Sequence, residues 1–175
     1  MRGDETAFTI LLDRHLSTIQ ALAYYMLGDA HLAEDAAQST FLKTWQMLPN
    51  WQPGQARLLT WVRRVTKNHC LDVLKKKRPV LMDIVPDVPD EASTSFDDIA
   101  MDEQKQAVMN AMAELSGNQR LALTLSYYQN VSQTEGASIM DISVSAYESL
   151  LVRARKSLGK RLSDNNFTRI HETAH

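Results

Sequence analysis

The chain has 175 residues, 44% of them hydrophobic and 23% charged, and a formal net charge of −2. This composition excludes disorder throughout, and no run approaches the roughly 18 apolar residues of a membrane span. A single cysteine, Cys70, excludes an internal disulfide or a cysteine-rich zinc module, and the N-terminus has no apolar h-region, so a cytoplasmic protein is expected.

In chain order, Phe8, Leu12, His15, Ile19, Leu22 and Met26 recur at spacings of four and three, which predicts one amphipathic helix opened by Asp4 and stopped at Gly28. In that stripe His15 reads as a satisfied buried histidine. Asp29 caps a second helix that turns Leu32, Ala36, Ala37, Thr40, Phe41, Trp45 and Leu48 inward. After a loop at Pro49 to Gly54, a third helix is expected from about Ala56 to Lys77. Pro79, Pro86 and Pro89, set among acids, then prevent a helix and read as a linker. Four further helical segments follow: Met101 to Leu115; one opened by the capping box Ser116 to Gln119 and ending near Gln129; a short one opened by a second box, Ser132 to Glu135; and one capped by Ser143 that ends near Leu162. The fold class is therefore all-α, with two small helical domains. Their bounds are residues 1–78 and 101–165, with a linker over 79–100 and a tail over 166–175.

Charge is segregated along this plan. Residues 51–78 hold eight basic and one acidic residue, and residues 79–118 hold one basic and nine acidic. In the third helix Arg57, Thr60, Arg64, Lys67, Asn68 and Lys75 share one side, which reads either as a solvated face or as a track for a nucleic-acid backbone. The preceding loop carries Trp51, Gln52 and Gln55, and unpaired bases stack on aromatics. Trp61, in mid-helix, reads as core. The segment Ser132 to Leu158 has the pattern of a helix-turn-helix. Ala137 is small where the two helices approach, Asp141 stands at the turn, and Tyr147, Leu150, Leu151, Ala154 and Leu158 face inward. Ser145, Glu148, Ser149, Val152 and Arg153 then face outward toward base edges, and Arg155, Lys156, Lys160 and Arg161 toward phosphates. On the second helix Asp35, Gln38, Ser39 and Leu42 form an outward polar strip with one leucine, either plain surface or a docking face. There is no phosphate loop, glycine fingerprint or nucleophile elbow. His69, Cys70 and Asp72 point about 100° apart on a helix, so no catalytic residue, metal or cofactor is expected.

Taken together, Ala33 to Trp45, Thr60 to Asn68 and Asp72 to Lys75 resemble region two of bacterial sigma factors of the extracytoplasmic-function type. Leu115 to Arg120, Tyr127, Ser132 to Met140 and Ile142 to Arg155 resemble region four of the same family. The resemblance implies a subunit that binds core RNA polymerase and directs it to promoter DNA, commonly restrained by an anti-sigma partner, without membrane insertion. By resemblance, Asp35, Gln38, Ser39 and Leu42 dock on the β′ clamp. Trp51 to Gln55 capture an unpaired base of the minus-ten element, and Arg63, Arg64, Lys67 and Asn68 lie on that element. Glu148, Ser149, Val152 and Arg153 read the minus-thirty-five element. Glu148 is acidic where many members carry a basic reader, and Leu150 replaces a common arginine.

Melting about ten base-pair steps at ~1.4 kcal/mol each costs roughly 14 kcal/mol, whereas one captured base returns about 1–3 kcal/mol, so a larger partner is required. Two other readings stay open on the residues alone. One is a stand-alone helix-turn-helix regulator, which needs a dimer face and leaves the Trp51 loop idle. The other is a small helical enzyme around His69 and Asp72.

Overall fold

The computed structural model describes residues 5–50, 57–77 and 103–172, with side chains over 5–50, 57–76 and 105–164. The Trp51 to Gln55 loop, the Pro-containing linker and the last three residues of the C-terminal tail lie outside the described residues; residues 166–172 of the expected tail are helical instead, and no strand occurs among those described.

Helix α1 runs Glu5–Leu27, about 35 Å of rod at 1.5 Å per residue. It stops where Gly28 takes φ +68°, a left-handed turn open to glycine at no steric cost, with the Gly28 N–H donating to the Tyr24 carbonyl at 2.8 Å. Asp29 caps α2, Ala30–Met47, by accepting from the Leu32 N–H at 3.0 Å. Ala33, Ala36 and Ala37 let α2 lie close on α1, and Phe41 closes the contact against Ile19 and Val62. Phe8 meets the ring of Trp45 edge-on at 4.9 Å. Helix α3, Leu58–Lys77, crosses both helices. Its Thr66 and the Thr40 and Thr44 of α2 are buried, yet their hydroxyls are satisfied: Thr40 donates to Thr66, and Thr44 and Thr66 donate to carbonyls one turn back. Trp61 packs into this cluster, as its mid-helix position suggests.

In the C-terminal half, α4 spans Glu103–Ala113 and α5 spans Gly117–Leu123. The Ser116–Gln119 box closes in both directions. Helix α5 does not run on regularly to Gln129. It widens into a π-turn over Thr124–Tyr128, which keeps Leu125 buried while swinging Tyr127 and Tyr128 outward. Helix α6, Gln133–Met140, and α7, Val144–Glu172, form the helix-turn-helix, and α7 continues ten residues past the expected end at Leu162. Asp141 takes the left-handed turn conformation, φ 59° and ψ 45°. Ala137 is buried at the close approach of α6 to α7, and Gly136 beside it is tighter than any side chain allows, because a Cβ there would lie 2.5 Å from Cζ of Tyr147.

Each half has its own apolar cluster, one around Ile19, Ala37, Phe41 and Val62, the other around Met112, Leu115, Tyr147, Leu151 and Ala154. A third is shared. Leu22, Ala23, Met26, Leu27, Ala36 and Cys70 of the first half pack with Leu121, Leu125, Val131 and Ile139 of the second. The two helical units therefore lie against each other instead of hanging apart on a tether. Each half is too small to cover all of its apolar surface by itself, and the remainder is buried between them.

Candidate nucleic-acid interface

Helix α7 is held by one face and leaves the other free. Tyr147, Leu151 and Ala154 are buried against α5 and α6, the Tyr147 hydroxyl donates to the Ala122 carbonyl at 3.2 Å, and Gln119 ties α5 to Ser157 at 3.3 Å. Burial pushes the Tyr147 phenol up to about 12. Its N-terminus is capped by the Ser143 hydroxyl, which accepts from the Ala146 N–H. With the helix held so, Ser145, Glu148, Ser149, Val152, Arg153, Arg155 and Lys156 are all exposed on its free side. Val152 is the most exposed large apolar residue described, at 63%. Arg155 lies over the Tyr127 ring at 5.5 Å, and the Arg153 guanidinium leans on the Ser149 carbonyl of its own helix. Leu150 is half-buried against the cluster of its own half.

On α2, the face opposite the buried alanines presents Asp35, Gln38 and Leu42 to solvent, with Ser39 half-covered. Leu42 is 59% exposed, in a helix whose other apolar residues mostly point inward.

The basic side of α3 is divided. Arg57, Asn68 and Lys75 are exposed, and Lys75 pairs loosely with Asp72 at 4.0 Å. Arg63 is 7% exposed and turned toward the C-terminal half. Its Nη1 donates to Oε1 of Glu135 at 2.9 Å, an oxygen that also accepts from the Thr60 hydroxyl at 3.0 Å. Arg64 donates to the Ser138 carbonyl and is half-buried. Lys67 follows on the same stripe. Desolvation and the Arg64 charge hold its ammonium below the usual lysine range, against a raising effect from Asp141. Glu135 thus leaves the second expected capping box half made. The Ser132 hydroxyl accepts from the Glu135 N–H at 3.2 Å, but the carboxylate has turned away to α3, because a buried guanidinium is a stronger partner than a backbone amide.

Two further residues fasten the halves and had no signal in the sequence. Arg120 donates Nη1 to the Met26 carbonyl at 2.6 Å and also reaches the Ala113 carbonyl. Gln129 donates to the Thr18 carbonyl at 3.1 Å, beside Tyr128 stacked on Tyr25 with centroids 3.6 Å apart. His15 is half-buried rather than enclosed. Among the described residues no three of His, Cys, Asp and Glu come together as metal ligands, and no helix is long and apolar enough to cross a membrane.

The family model for Sigma-70 region 2 matches residues 11–80, and that for Sigma-70, region 4 matches residues 105–158. The chain is 30% identical to the RNA polymerase sigma-H factor of Pseudomonas aeruginosa, over 92% of this chain and 89% of that protein. It is 26% identical to the ECF RNA polymerase sigma factor SigW of Bacillus subtilis, over 93% of this chain and 92% of that one. Two solved structures share its fold. CnrH in complex with the cytosolic domain of CnrY superposes with TM-score 0.69 at 23% identity, over 93% of this chain and 91% of that one. The sigma factor RpoE of Bartonella quintana, in complex with the anti-sigma factor NepR, superposes with TM-score 0.68 at 22% identity, over 90% and 97%.

Proposed function

This chain belongs to the extracytoplasmic-function sigma factors of bacterial RNA polymerase, and from that premise we propose which of its surfaces performs each part of the work. A sigma factor binds core polymerase and directs promoter-specific initiation, and family membership favours this reading over a stand-alone regulator or a small enzyme. The exposed strip Asp35, Gln38, Ser39 and Leu42 docks on the β′ clamp. Leu42 supplies the apolar anchor and the polar residues its rim. The free side of α7 enters the major groove of the minus-thirty-five element. There Glu148, Ser149, Val152 and Arg153 meet base edges, and Arg155 and Lys156 meet phosphates. Trp51, Gln52, Gln55, Arg57, Arg63, Arg64, Lys67, Asn68 and Lys75 serve the minus-ten element, by base capture in the loop and by charge along α3.

The chain acts in the cytoplasm, carries out no catalysis of its own and needs no cofactor. An anti-sigma protein restrains it, as NepR is bound to the Bartonella relative. The observation that carries the reading is the pairing of an exposed recognition face on α7 with a separate exposed leucine strip on α2, in the region order of the family. Adding the purified chain to core polymerase of its own organism and sequencing the transcript ends tests it. Starts clustered downstream of a shared motif are expected, and starts no different from those of core polymerase alone would refute it.

A further inference from the structure

Two side chains on the free side of α7 have no task within the chain itself. Glu148 is exposed, and among the described residues it makes no hydrogen bond or ion pair. The residues one turn away on its helix are Val144, Ser145, Leu151 and Val152, so it has no cation to hold in place. Val152, one turn further along the same side, is 63% exposed. The apolar cluster of the C-terminal half takes in Leu151 and Ala154 and stops short of it. Both residues lie in the first three turns of α7, the part of a recognition helix that meets base edges.

A carboxylate has acceptors to offer and no donor. In the major groove guanine presents two acceptors, N7 and O6, and thymine presents one, O4. Adenine sets an N7 acceptor beside its N6 amino group. Cytosine presents the N4 amino group with no acceptor of its own beside it. A carboxylate carried between two rails of phosphate is therefore best received at cytosine. A basic side chain at the same position bonds the acceptors of guanine, and the acid inverts that preference. The isopropyl group of Val152 discriminates by a different route. Against a ring nitrogen, a carbonyl or an amino group it removes water and returns no hydrogen bond. Against the C5 methyl of thymine it buries apolar surface at no polar cost.

Resting on the sigma reading, we propose that Glu148 and Val152 set the base preference of the minus-thirty-five element, Glu148 by accepting from N4 of a cytosine and Val152 by packing on the C5 methyl of a thymine. Four residues at about 1.5 Å each place the two side chains about 6 Å apart along α7, and a base step is about 3.4 Å, so the two bases lie within two steps of each other.

The promoters from which holoenzyme initiates supply the test, aligned on their starts. The shared upstream element is expected to hold a cytosine and a thymine within two steps. In duplexes carrying that element, each thymine is replaced in turn by deoxyuridine, which lacks only the methyl group. At one position the native holoenzyme is expected to lose about three- to fivefold in affinity, the contribution of one buried methyl, and holoenzyme carrying Val152→Ala to lose nothing there. Glu148→Gln is measured on duplexes with each of the four bases at the cytosine. Glutamine bonds N6 and N7 of adenine together, so the ratio of cytosine to adenine binding is expected to fall at least about tenfold. Both side chains are exposed, and thermal melts of the two variants are expected to match the native chain. An element without the cytosine and thymine, an unchanged base preference in Glu148→Gln, or a deoxyuridine penalty that persists in Val152→Ala would each overturn the assignment. If holoenzyme initiates at no promoter beyond those of core polymerase alone, the sigma reading itself fails instead.

Discussion

The substitution Gly136→Ala sets two physical effects of opposite sign against each other, and the structure says which wins. In the interior of α6, alanine is the better helix former by about 1 kcal/mol. The new methyl carbon, however, would sit 2.5, 2.6 and 2.8 Å from Cζ, Oη and Cε1 of Tyr147. That ring is fully buried and cannot swing into solvent. Separating α6 from α7 to relieve the overlap costs about 1–3 kcal/mol, and losing the Tyr147 hydroxyl bond to Ala122 costs about 1 more. With a closely packed ring the upper end applies, so the net effect is destabilisation by about 3 kcal/mol, or a fall in Tm of about 6–12 °C. Urea unfolding and thermal melts followed by circular dichroism measure it. The double variant Gly136→Ala with Tyr147→Leu should be less destabilised than the sum of its parts, because the shortened side chain makes room. An unchanged or raised Tm for Gly136→Ala, or strict additivity in the double variant, would refute the reasoning.

Other consequences concern docking, DNA and pH. Gln38→Ala with Leu42→Ala removes exposed side chains, so stability should change by less than about 0.5 kcal/mol while core-polymerase affinity falls at least tenfold in a titration of labelled chain. Within holoenzyme, Arg153→Ala should lose about 1–3 kcal/mol of discrimination at one minus-thirty-five position. Lys156→Ala should instead weaken all sequences alike and lower the salt slope by about 1, read by binding to promoter and scrambled duplexes across a salt series. Burial raises the Cys70 thiol from 9.0 to about 12 and the Tyr147 phenol from 10.0 to about 12. Between those values the unfolded chain has released protons that the folded chain still holds. The stability these groups contribute is therefore complete below pH 9 and lost progressively between pH 9 and about 12. Urea midpoints measured across that window should fall, and Cys70→Ala should show a shallower fall; a flat profile would contradict the burial of both groups.

Much of this protein was legible from local chemistry. The helices follow from apolar spacing, Asp29, Ser116 and Ser143 cap where their side chains predict, and the left-handed Asp141 sits where the turn requires it. These features depend on neighbours within one or two turns, which is why a sequence carries them. The outward faces of α2 and α7 were legible for the same reason, because the side of a helix opposite its apolar stripe is exposed whatever the stripe packs on. What the tertiary structure alone decided is the fate of α3. Arg63 and Arg64 share a helix with Asn68 and Lys75 and have similar intrinsic polarity, yet the first two are drawn into a junction and the others remain in water. That division depends on Glu135 and Ser138, more than 70 residues away in the chain. Periodicity tells which side of a helix is polar; it does not tell whether another helix will cover that side, because the answer lies in apolar surface such as Leu125 and Ile139 that must find cover somewhere. The same distant pairing took the Glu135 carboxylate away from its predicted cap, since a desolvated arginine outbids a solvent-facing amide for a negative charge.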